Sequence, residues 1–318
     1  MHNLVPQFIL QNLGKERLNG RFPAVTLFVD IHGFTSLTTT LMRHGKGGAE
    51  QIADVLAELF QPLVQIVYQH GGYISGFAGD SFKAIFSLEH VPMKGIIYER
   101  AVSAAWKIRT HMATHATYKT PFGSFTFNVK ATVADGEVVW GIWQAMPTHK
   151  IDDTDQRNAY YFEGSAFTRC LQADSFAAAG NVLLTDEVYT AVSRRRTLKA
   201  YAIDKYWRVQ TFERSTSGTI ISNKKQSTIN NVDSRPLRVQ QSTINNFFPA
   251  GLMPEMRGEF RQVITIFVNL QSMPGQTDPF ISRFFRLLNQ YDGYLCRVGR
   301  IGDLDEGGTL LLFWGAPI

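Results

Sequence analysis

Cysteine is scarce in this sequence, with only Cys170 and Cys296 among 318 residues. Two cysteines cannot build the disulfide framework that stabilises many small secreted domains. We therefore expect both side chains to lie in the interior as small apolar groups, in the reducing environment of the cytoplasm. The amino-terminal residues agree with this location, since they lack the basic segment and apolar core of a secretory signal.

Long apolar runs are also absent. None reaches the ~20 residues that a membrane-spanning helix requires, so we expect no membrane span. Regularly interleaved basic and aromatic residues are missing too, and we predict no nucleic-acid partner. The net charge of +5 still permits a smaller anionic partner such as a nucleotide. With 44% hydrophobic and 19% charged residues, the composition is that of a globular protein with a substantial core.

The first hundred residues show a clear order of predicted elements. Residues 24–30 form an apolar run that ends in a carboxylate, which is typical of a buried strand. Residues 52–67 place apolar side chains at three- and four-residue spacing, which predicts a helix with a kink at Pro62. Two short apolar segments, 73–77 and 82–87, flank a turn that contains Gly and Asp, so they predict a hairpin. The order is strand, helix, strand, strand.

Later segments complete one mixed α/β domain of the α+β type, which we predict to span residues 1–215. Residues 97–117 predict another helix. The alternating segment 125–143 is rich in β-branched and aromatic residues, and it predicts two strands joined by a turn at Asp135-Gly136.

The rest of the chain divides into a polar tract and a second unit. Residues 216–258 are rich in Ser, Thr, Asn and Gln, which predicts a linker. The hexapeptide QSTINN occurs in this tract twice, and we assign it no function. Residues 259–318 then repeat the opening order of strand, helix, strand, strand. We predict a partial second copy of the first unit, truncated after its hairpin.

Two carboxylates are the leading candidates for chemistry: Asp30 ends the first strand and Asp80 lies in the hairpin turn. If that strand lies beside the hairpin, both carboxylates point to one end of the sheet. Paired carboxylates suit hard divalent cations such as Mg²⁺ or Mn²⁺, which can activate an oxygen nucleophile and neutralise a polyphosphate. The loop 31–38 offers backbone N–H groups to phosphate, and Gly33 allows close approach. Taken singly, each aspartate has a simpler interpretation as a helix cap or turn former.

Two motifs carry a resemblance to a known family. The segment 28–38, FVDIHGFTSLT, resembles the first metal-binding motif of class III adenylyl and guanylyl cyclases, and 76–86, GFAGDSFKAIF, resembles the second. The resemblance covers roughly 22–215 as a full catalytic unit and 260–318 as the front of another, similar to cyclases with tandem domains. It implies a ferredoxin-like α+β core that works as a dimer, with active sites between units.

The resemblance assigns roles to residues of the first unit. Asp30, Asp80 and the backbone carbonyl of Ile31 would hold two divalent cations, Mg²⁺ or Mn²⁺. Backbone N–H groups of three loop residues would bind phosphates: Gly33, Phe34 and Thr35. The ribose 3′-hydroxyl would attack the α-phosphorus and release pyrophosphate. ATP rather than GTP is the substrate that the tandem resemblance implies.

Several residues of the first unit depart from the family pattern. Gly76 stands where the family has a purine-reading Lys. Thr168 and Gln172 stand where it has an Asn and an Arg on a helix. Gln172 lacks the positive charge that arginine supplies to the transition state. Arg169 lies close in sequence but on another face of the predicted helix.

The second unit shows the complementary pattern. Asn269 replaces the first metal-binding Asp, so this unit is not expected to hold the cations. Arg297 occupies the purine-reading position and is a candidate base contact, or alternatively a surface cation on an exposed strand. The two units therefore predict one composite site, formed with a second cyclase domain in the same chain or with a dimer partner.

The predicted function is that of a cytoplasmic adenylyl cyclase with a composite active site. The alternative is a degenerate, non-catalytic, nucleotide-binding cyclase homology module that regulates a larger protein. The intact carboxylate pair favours the enzyme, whereas the missing Arg and the partial second unit favour the alternative. A diguanylate cyclase or polymerase palm is a weaker interpretation, because no GGDEF-like turn is present.

Overall fold

The helices and strands are those of a mixed fold. The computed structural model of the protein describes residues 5–145, 157–195, 197–213, 246–248, 263–270, 277–299 and 308–315. The helices are α1 (Gln7–Leu13), α2 (Phe34–Leu41), α3 (Gly45–Gln69), α4 (Lys94–Thr114), α5 (Ser165–Asp174), α6 (Asp186–Ser193) and α7 (Thr277–Gln290). The strands are β1 (Asn19–His32), β2 (Tyr73–Ala78), β3 (Ser81–Ser87), β4 (Thr117–Thr120), β5 (Gly123–Thr126), β6 (Asn128–Gln144), β7 (Asn158–Glu163), β8 (Val182–Leu184), β9 (Thr197–Ile203), β10 (Tyr206–Glu213), β11 (Ile264–Leu270), β12 (Gly293–Gly299) and β13 (Gly308–Trp314). None of the helices in these ranges combines the length and apolar content that crossing a bilayer requires.

The first unit is an eight-stranded sheet with helices on both faces. Its strand order is β2-β3-β1-β6-β8-β10-β9, and β7 pairs with β6. In this sheet β6 and β8 are parallel, and β1 is antiparallel to both of its neighbours. The succession β1-α3-β2-β3-α4-β6, with β1 between β3 and β6, is the ferredoxin-like βαββαβ arrangement. The predicted α+β fold class is therefore confirmed.

Alternation along the strands divides the buried side chains between the two faces of the sheet. One face packs against α3, α4 and α6, and its buried residues on β1 and β3 are Val25, Leu27, Val29, Ile31, Phe82, Ala84 and Phe86. The other face packs against α1 and α5, and buries Phe22, Ala24, Ile85, Val138, Trp140 and Ile142. We call this second face the α5 face. Asp30 lies on it, because Asp30 is an even number of residues from Phe22 and Ala24 along β1.

β6 shows that one prediction was wrong. It is one continuous strand, whereas the sequence predicted two strands joined by a turn at Asp135-Gly136. Its register with β1 runs unbroken through the pair Ala24–Gly136. Gly136 instead permits the close approach of α5, because a Cβ atom there would lie 2.7 Å from the Oγ atom of Ser165. The glycine that signalled a turn is required by helix packing.

The second unit repeats the topology and register of the first hairpin. Its sheet order β11-β13-β12 corresponds to β1-β3-β2. Asn269 holds on β11 the register position that Asp30 holds on β1. Both β2 and β12 carry a register shift at the same place, and directly after it Arg297 corresponds to Gly76. The predicted order of strand, helix, strand, strand is therefore observed in the second unit. A second cyclase domain and the domain boundaries stay predictions, and residues 214–245 lie outside the described ranges.

The second unit packs against the end of β6 and β7 of the first. One apolar cluster spans this contact, and its buried residues are Trp143, Ala145, Ala159, Tyr161, Ile281, Phe285, Leu288, Leu295, Val298, Leu310 and Leu312. Phe285 is fully buried, and the rings of Trp143 and Tyr161 meet edge to face with centroids 6.1 Å apart. This contact holds β12, and with it Arg297, beside the first unit.

The two cysteines occupy different environments. Cys170 is buried between α5 and the sheet, as predicted, and its Sγ atom lies 3.3 Å from the Oγ1 atom of Thr26. The prediction that Cys296 is also interior was wrong, because Cys296 is exposed at the register shift of β12. A strand irregularity of this kind turns one side chain outward, and periodicity alone does not reveal it.

The two thiols are expected to react with a disulfide reagent at very different rates in the folded protein. Burial raises the pKa of Cys170 to about 11, so at pH 8 its thiolate is only about a thousandth of the total. Burial also raises the pKa of Cys296, but its side chain is exposed to the reagent. Titration with 5,5′-dithiobis(2-nitrobenzoate) should therefore detect one accessible thiol that reacts faster than the buried one, and two thiols after denaturation. The Cys296→Ser variant should lose the rapid phase. A rapid phase that persists in this variant would show that Cys170 is accessible.

Candidate active site

The two predicted aspartates lie at one end of the sheet. Asp30 on β1 is the register partner of Ser81 on β3, and Asp80 directly precedes Ser81 in the turn between β2 and β3. The backbone N–H of Ile31 donates to the carbonyl oxygen of Asp80 at 3.1 Å, which ties the strand end to the turn. Gly79 completes the turn with a φ of 60°, a conformation that glycine adopts without strain. Backbone pairing therefore sets the two carboxylate-bearing residues side by side.

A helix N-terminus follows β1 directly. Gly33 precedes α2 with a φ of 107°, and a Cβ atom there would lie 2.5 Å from the carbonyl oxygen of Thr126. Only glycine fits this position. The N–H groups of Phe34 and Thr35 lie in the first turn of α2, where helices have no internal acceptors for them. This end of a helix attracts anions, and here the helix begins four residues after Asp30.

A lysine that the sequence analysis did not single out lies beside Asp30. Lys130 on β6 is the register partner of Asp30, and its Nζ atom lies 3.3 Å from the Oδ2 atom of that residue. Its shorter contact, 2.7 Å, is with Asp174 at the end of α5. Burial lowers the pKa of Lys130, but the hydrogen bond and charge of Asp174, together with Asp30, outweigh burial and raise it. The ammonium group therefore stays charged beside the carboxylate pair.

The donor atoms at this end of the sheet fit a hard divalent cation. The carboxylates of Asp30 and Asp80 and the carbonyl of Ile31 are oxygen donors, which Mg²⁺ and Mn²⁺ prefer. Lys130 and, at 3.8 Å, His32 both approach the Oδ2 atom of Asp30, so the Oδ1 atom has no ion pair with the described residues. The described part of the chain holds no group of three or more His, Cys, Asp or Glu suited to a metal ion. A cation here would take further oxygen ligands from a substrate.

The helix positions that depart from the family pattern lie on α5. Thr168 and Gln172 are both exposed on this helix. The side chain of Arg169 turns to two acids, with its guanidinium 3.4 Å from Asp135 and 3.2 Å from Glu187. These ion pairs occupy Arg169 away from Asp30, so it does not replace the arginine that the family pattern places at position 172.

The two singled-out residues of the second unit differ in exposure. Asn269 is exposed on β11, and Arg297 on β12 is half-buried. Burial, and after it the positive charge of Arg297, lowers the pKa of Lys83 on β3 of the first unit. Arg297 therefore lies near the sheet that carries the carboxylate pair. The sequence analysis offered Arg297 as a base contact or as a surface cation on an exposed strand, and it did not identify Lys83.

Comparison with known proteins confirms the resemblance to class III nucleotidyl cyclases. The chain is 28% identical over 176 residues to adenylate cyclase type 10 from Mus musculus, a match that covers 54% of this chain and 10% of the relative. It is 39% identical over 79 residues to adenylate cyclase type 10 from Rattus norvegicus, a match that covers 24% of this chain and 5% of the relative. The crystal structure of the adenylyl cyclase CyaB from P. aeruginosa aligns with a TM-score of 0.47 and 21% identity, over 63% of this chain and 99% of that chain.

Two further findings limit what these relatives imply. No family profile matches the chain. The chain spans a tenth or less of the length of the two curated relatives. The similarity therefore concerns one part of those proteins and does not by itself transfer their activity.

Proposed function

We propose that this chain provides the metal- and phosphate-binding part of a nucleotidyl cyclase, which converts ATP to cyclic AMP and pyrophosphate between two cyclase units. The observation that carries the proposal is the adjacency of Asp30 and Asp80 directly before the N-terminus of α2. Carboxylates that hold cations, next to free backbone N–H groups, suit a nucleoside triphosphate, because both neutralise a polyphosphate.

Each group of the site has a task. Asp30, Asp80 and the carbonyl of Ile31 would hold Mg²⁺ or Mn²⁺, which would supply Lewis-acid activation of the 3′-hydroxyl and positive charge for the leaving pyrophosphate. The N–H groups at the start of α2, those of Gly33, Phe34 and Thr35, orient the triphosphate. Lys130 adds a fixed positive charge beside Asp30, which favours a polyanionic substrate in a partly desolvated site.

The second unit, or a partner subunit, completes the site on the base side. Arg297 is the residue of the second unit that we assign to the purine. The similarity to two adenylate cyclases supports ATP rather than GTP as the substrate. Asn269 removes a carboxylate from the equivalent end of the second unit, so a single metal-binding end per pair of units is expected.

A second candidate function rests on α5. Because Gln172 is exposed and Arg169 is paired with acids, the described part of α5 offers no free cation for a transition state. Such a chain could bind metal and nucleotide without turnover and regulate a larger protein. The two functions share the metal end of the site and differ only in catalysis.

The two functions are separated by measuring binding and turnover in the same full-length chain. Mn²⁺ binding is followed by electron paramagnetic resonance with and without ATP, and cyclic AMP is quantified by mass spectrometry. The cyclase proposal expects mutual enhancement of Mn²⁺ and ATP binding together with metal-dependent cyclic AMP formation. Enhancement without product supports the regulatory module. If Mn²⁺ and ATP bind independently, or not at all, both functions are wrong.

A further inference from the structure

A second lysine lies on the α5 face and belongs to the first unit alone. Lys83 on β3 is the register partner of Phe28 on β1. Phe28 precedes Asp30 by two residues, so Lys83 lies on the same face of the sheet as Asp30. Two residues along a strand correspond to about 7 Å. The Nζ atom of Lys83 lies 5.3 Å from the ring centroid of Phe167 on α5, so an aromatic ring covers the ammonium group.

The ammonium group of Lys83 has no acidic partner among the residues that the structure describes. The ion pairs found in those residues involve other cations. Its charged neighbour is instead Arg297 of the second unit, which has no ion pair in the described ranges either. Burial, and after it the positive charge of Arg297, lowers the pKa of Lys83, and an electron-rich acceptor bound near both side chains would relieve this repulsion.

Space for such a group exists beside Lys83. Gly76 on β2 is the cross-strand neighbour of Lys83, and a Cβ atom at Gly76 would meet no atom within 4 Å. Phe28, the other cross-strand neighbour of Lys83, and Phe167 are buried beside it. The open position at Gly76 therefore lies beside a cation, and a flat ring that carries acceptor atoms suits this space.

The direction of β1 relates this space to the carboxylates. The strand runs from Phe28 past Asp30 to Gly33 at the start of α2. The phosphate-binding end therefore lies on one side of Asp30, and Lys83 lies on the other. A nucleotide held by its phosphates at the start of α2 would extend its base toward Lys83 and Arg297.

We propose that Lys83 is a second base-contacting residue, so that Lys83 of the first unit and Arg297 of the second both donate to acceptor atoms of one purine ring. This inference rests on the proposed nucleotide site. Lysine and arginine side chains are donors only. Both purines present an acceptor at N7, and guanine adds O6. Loss of Lys83 should therefore weaken GTP binding at least as much as ATP binding.

The test measures three ligands with the full-length chain in Mn²⁺: ATP, GTP and inorganic tripolyphosphate, which lacks a base. Lys83→Met is expected to reduce ATP and GTP affinity about tenfold, the effect of one hydrogen bond to a charged group, and to leave tripolyphosphate affinity unchanged. Lys83→Arg should keep nucleotide affinity within about threefold of the native value, since it retains a donor. Isothermal titration calorimetry measures the dissociation constants of all three ligands.

A matched control is available on the same fold. Lys205 also places its ammonium group over an aromatic ring, 5.5 Å from Tyr206, but it lies in the turn between β9 and β10. Lys205→Met should leave the affinities for all three ligands unchanged. Equal losses for tripolyphosphate and nucleotides in Lys83→Met would place Lys83 at the phosphates, and no loss at all would remove it from the site. Either result overturns the inference while native nucleotide binding leaves the proposed function standing.

Discussion

Asp30→Asn or Asp80→Asn is expected to lower the affinity of the ATP-bound chain for Mn²⁺ by at least about 100-fold. Outer-shell groups of metal sites contribute about 10- to 100-fold, and these two side chains are proposed as direct ligands. Asparagine preserves the size of each side chain but removes its charge. If the chain forms cyclic AMP, the rate should fall by a similar or larger factor, since about 1.4 kcal/mol of lost transition-state stabilisation is tenfold in rate. Electron paramagnetic resonance of Mn²⁺ and product analysis measure both quantities.

Neither substitution is expected to unfold the protein. Lys130 keeps its shorter contact with Asp174 when Asp30 loses its charge. Asp80 lies in a turn whose contact with β1 uses the backbone carbonyl of Asp80 and the N–H of Ile31, which asparagine leaves in place. A loss of metal affinity with unchanged thermal unfolding would therefore report on the site.

Asp54→Asn provides the matched control. This aspartate is exposed on α3, and Gln51 donates to it at 3.4 Å. The same change of charge there should leave Mn²⁺ affinity and product formation unchanged. If Asp54→Asn weakened Mn²⁺ binding as much as Asp30→Asn, the effect would be one of net charge. The carboxylate pair would then lose its assigned role.

The adjacency of Asp30 and Asp80 could be predicted because both depend on local patterns. The apolar run 24–30 and the Gly–Asp turn between two short apolar segments each specify one element. Pairing of that strand with that hairpin then brings the two residues together. The α+β class and the repeat of the same order in the second unit also follow from such patterns.

Lys130 and Lys83 could not be predicted in the same way. Lys130 meets Asp30 only because β6 pairs with β1 in one particular register, across 100 residues of sequence. A shift of that register by one residue would turn Lys130 to the opposite face. The predicted turn at Gly136 would have broken this strand before its end. β6 continues through Gly136 because α5 packs on this glycine, and the local sequence pattern does not encode that tertiary contact.

The position of the second unit against the first could not be predicted from the sequence either. Its contact with the first unit uses Trp143 and Tyr161, which the sequence pattern assigns to ordinary strands. Only the structure shows that these rings belong to one apolar cluster with Phe285 and Leu295 of the second unit. The exposure of Cys296 follows from a register shift between Leu295 and Arg297, which also determines the pairing position of Arg297. Long-range packing and strand irregularities therefore account for what the sequence left open.

Trp140→Ala is expected to destabilise the first unit strongly, with a loss of about 3–5 kcal/mol in the free energy of unfolding. Trp140 is fully buried on the α5 face. The ring of Phe8 from α1 meets it edge to face with centroids 5.1 Å apart, and the guanidinium of Arg17 lies 5.6 Å from its ring. The substitution removes one of the four rings that Phe8 of α1 contacts, and the one of these that is fully buried. Urea unfolding followed by far-ultraviolet circular dichroism measures the loss.

The same truncation at an exposed ring separates burial from the mere loss of an aromatic residue. Phe267 on β11 is 71% exposed, so Phe267→Ala should change the free energy of unfolding by no more than about 0.5 kcal/mol. Limited proteolysis adds a local readout, because the loss of Trp140 should make the segment around α1 cleavable before the sheet unfolds. Equal losses in the two variants, or an intact α1 in Trp140→Ala, would contradict the view that Trp140 anchors α1 to the α5 face.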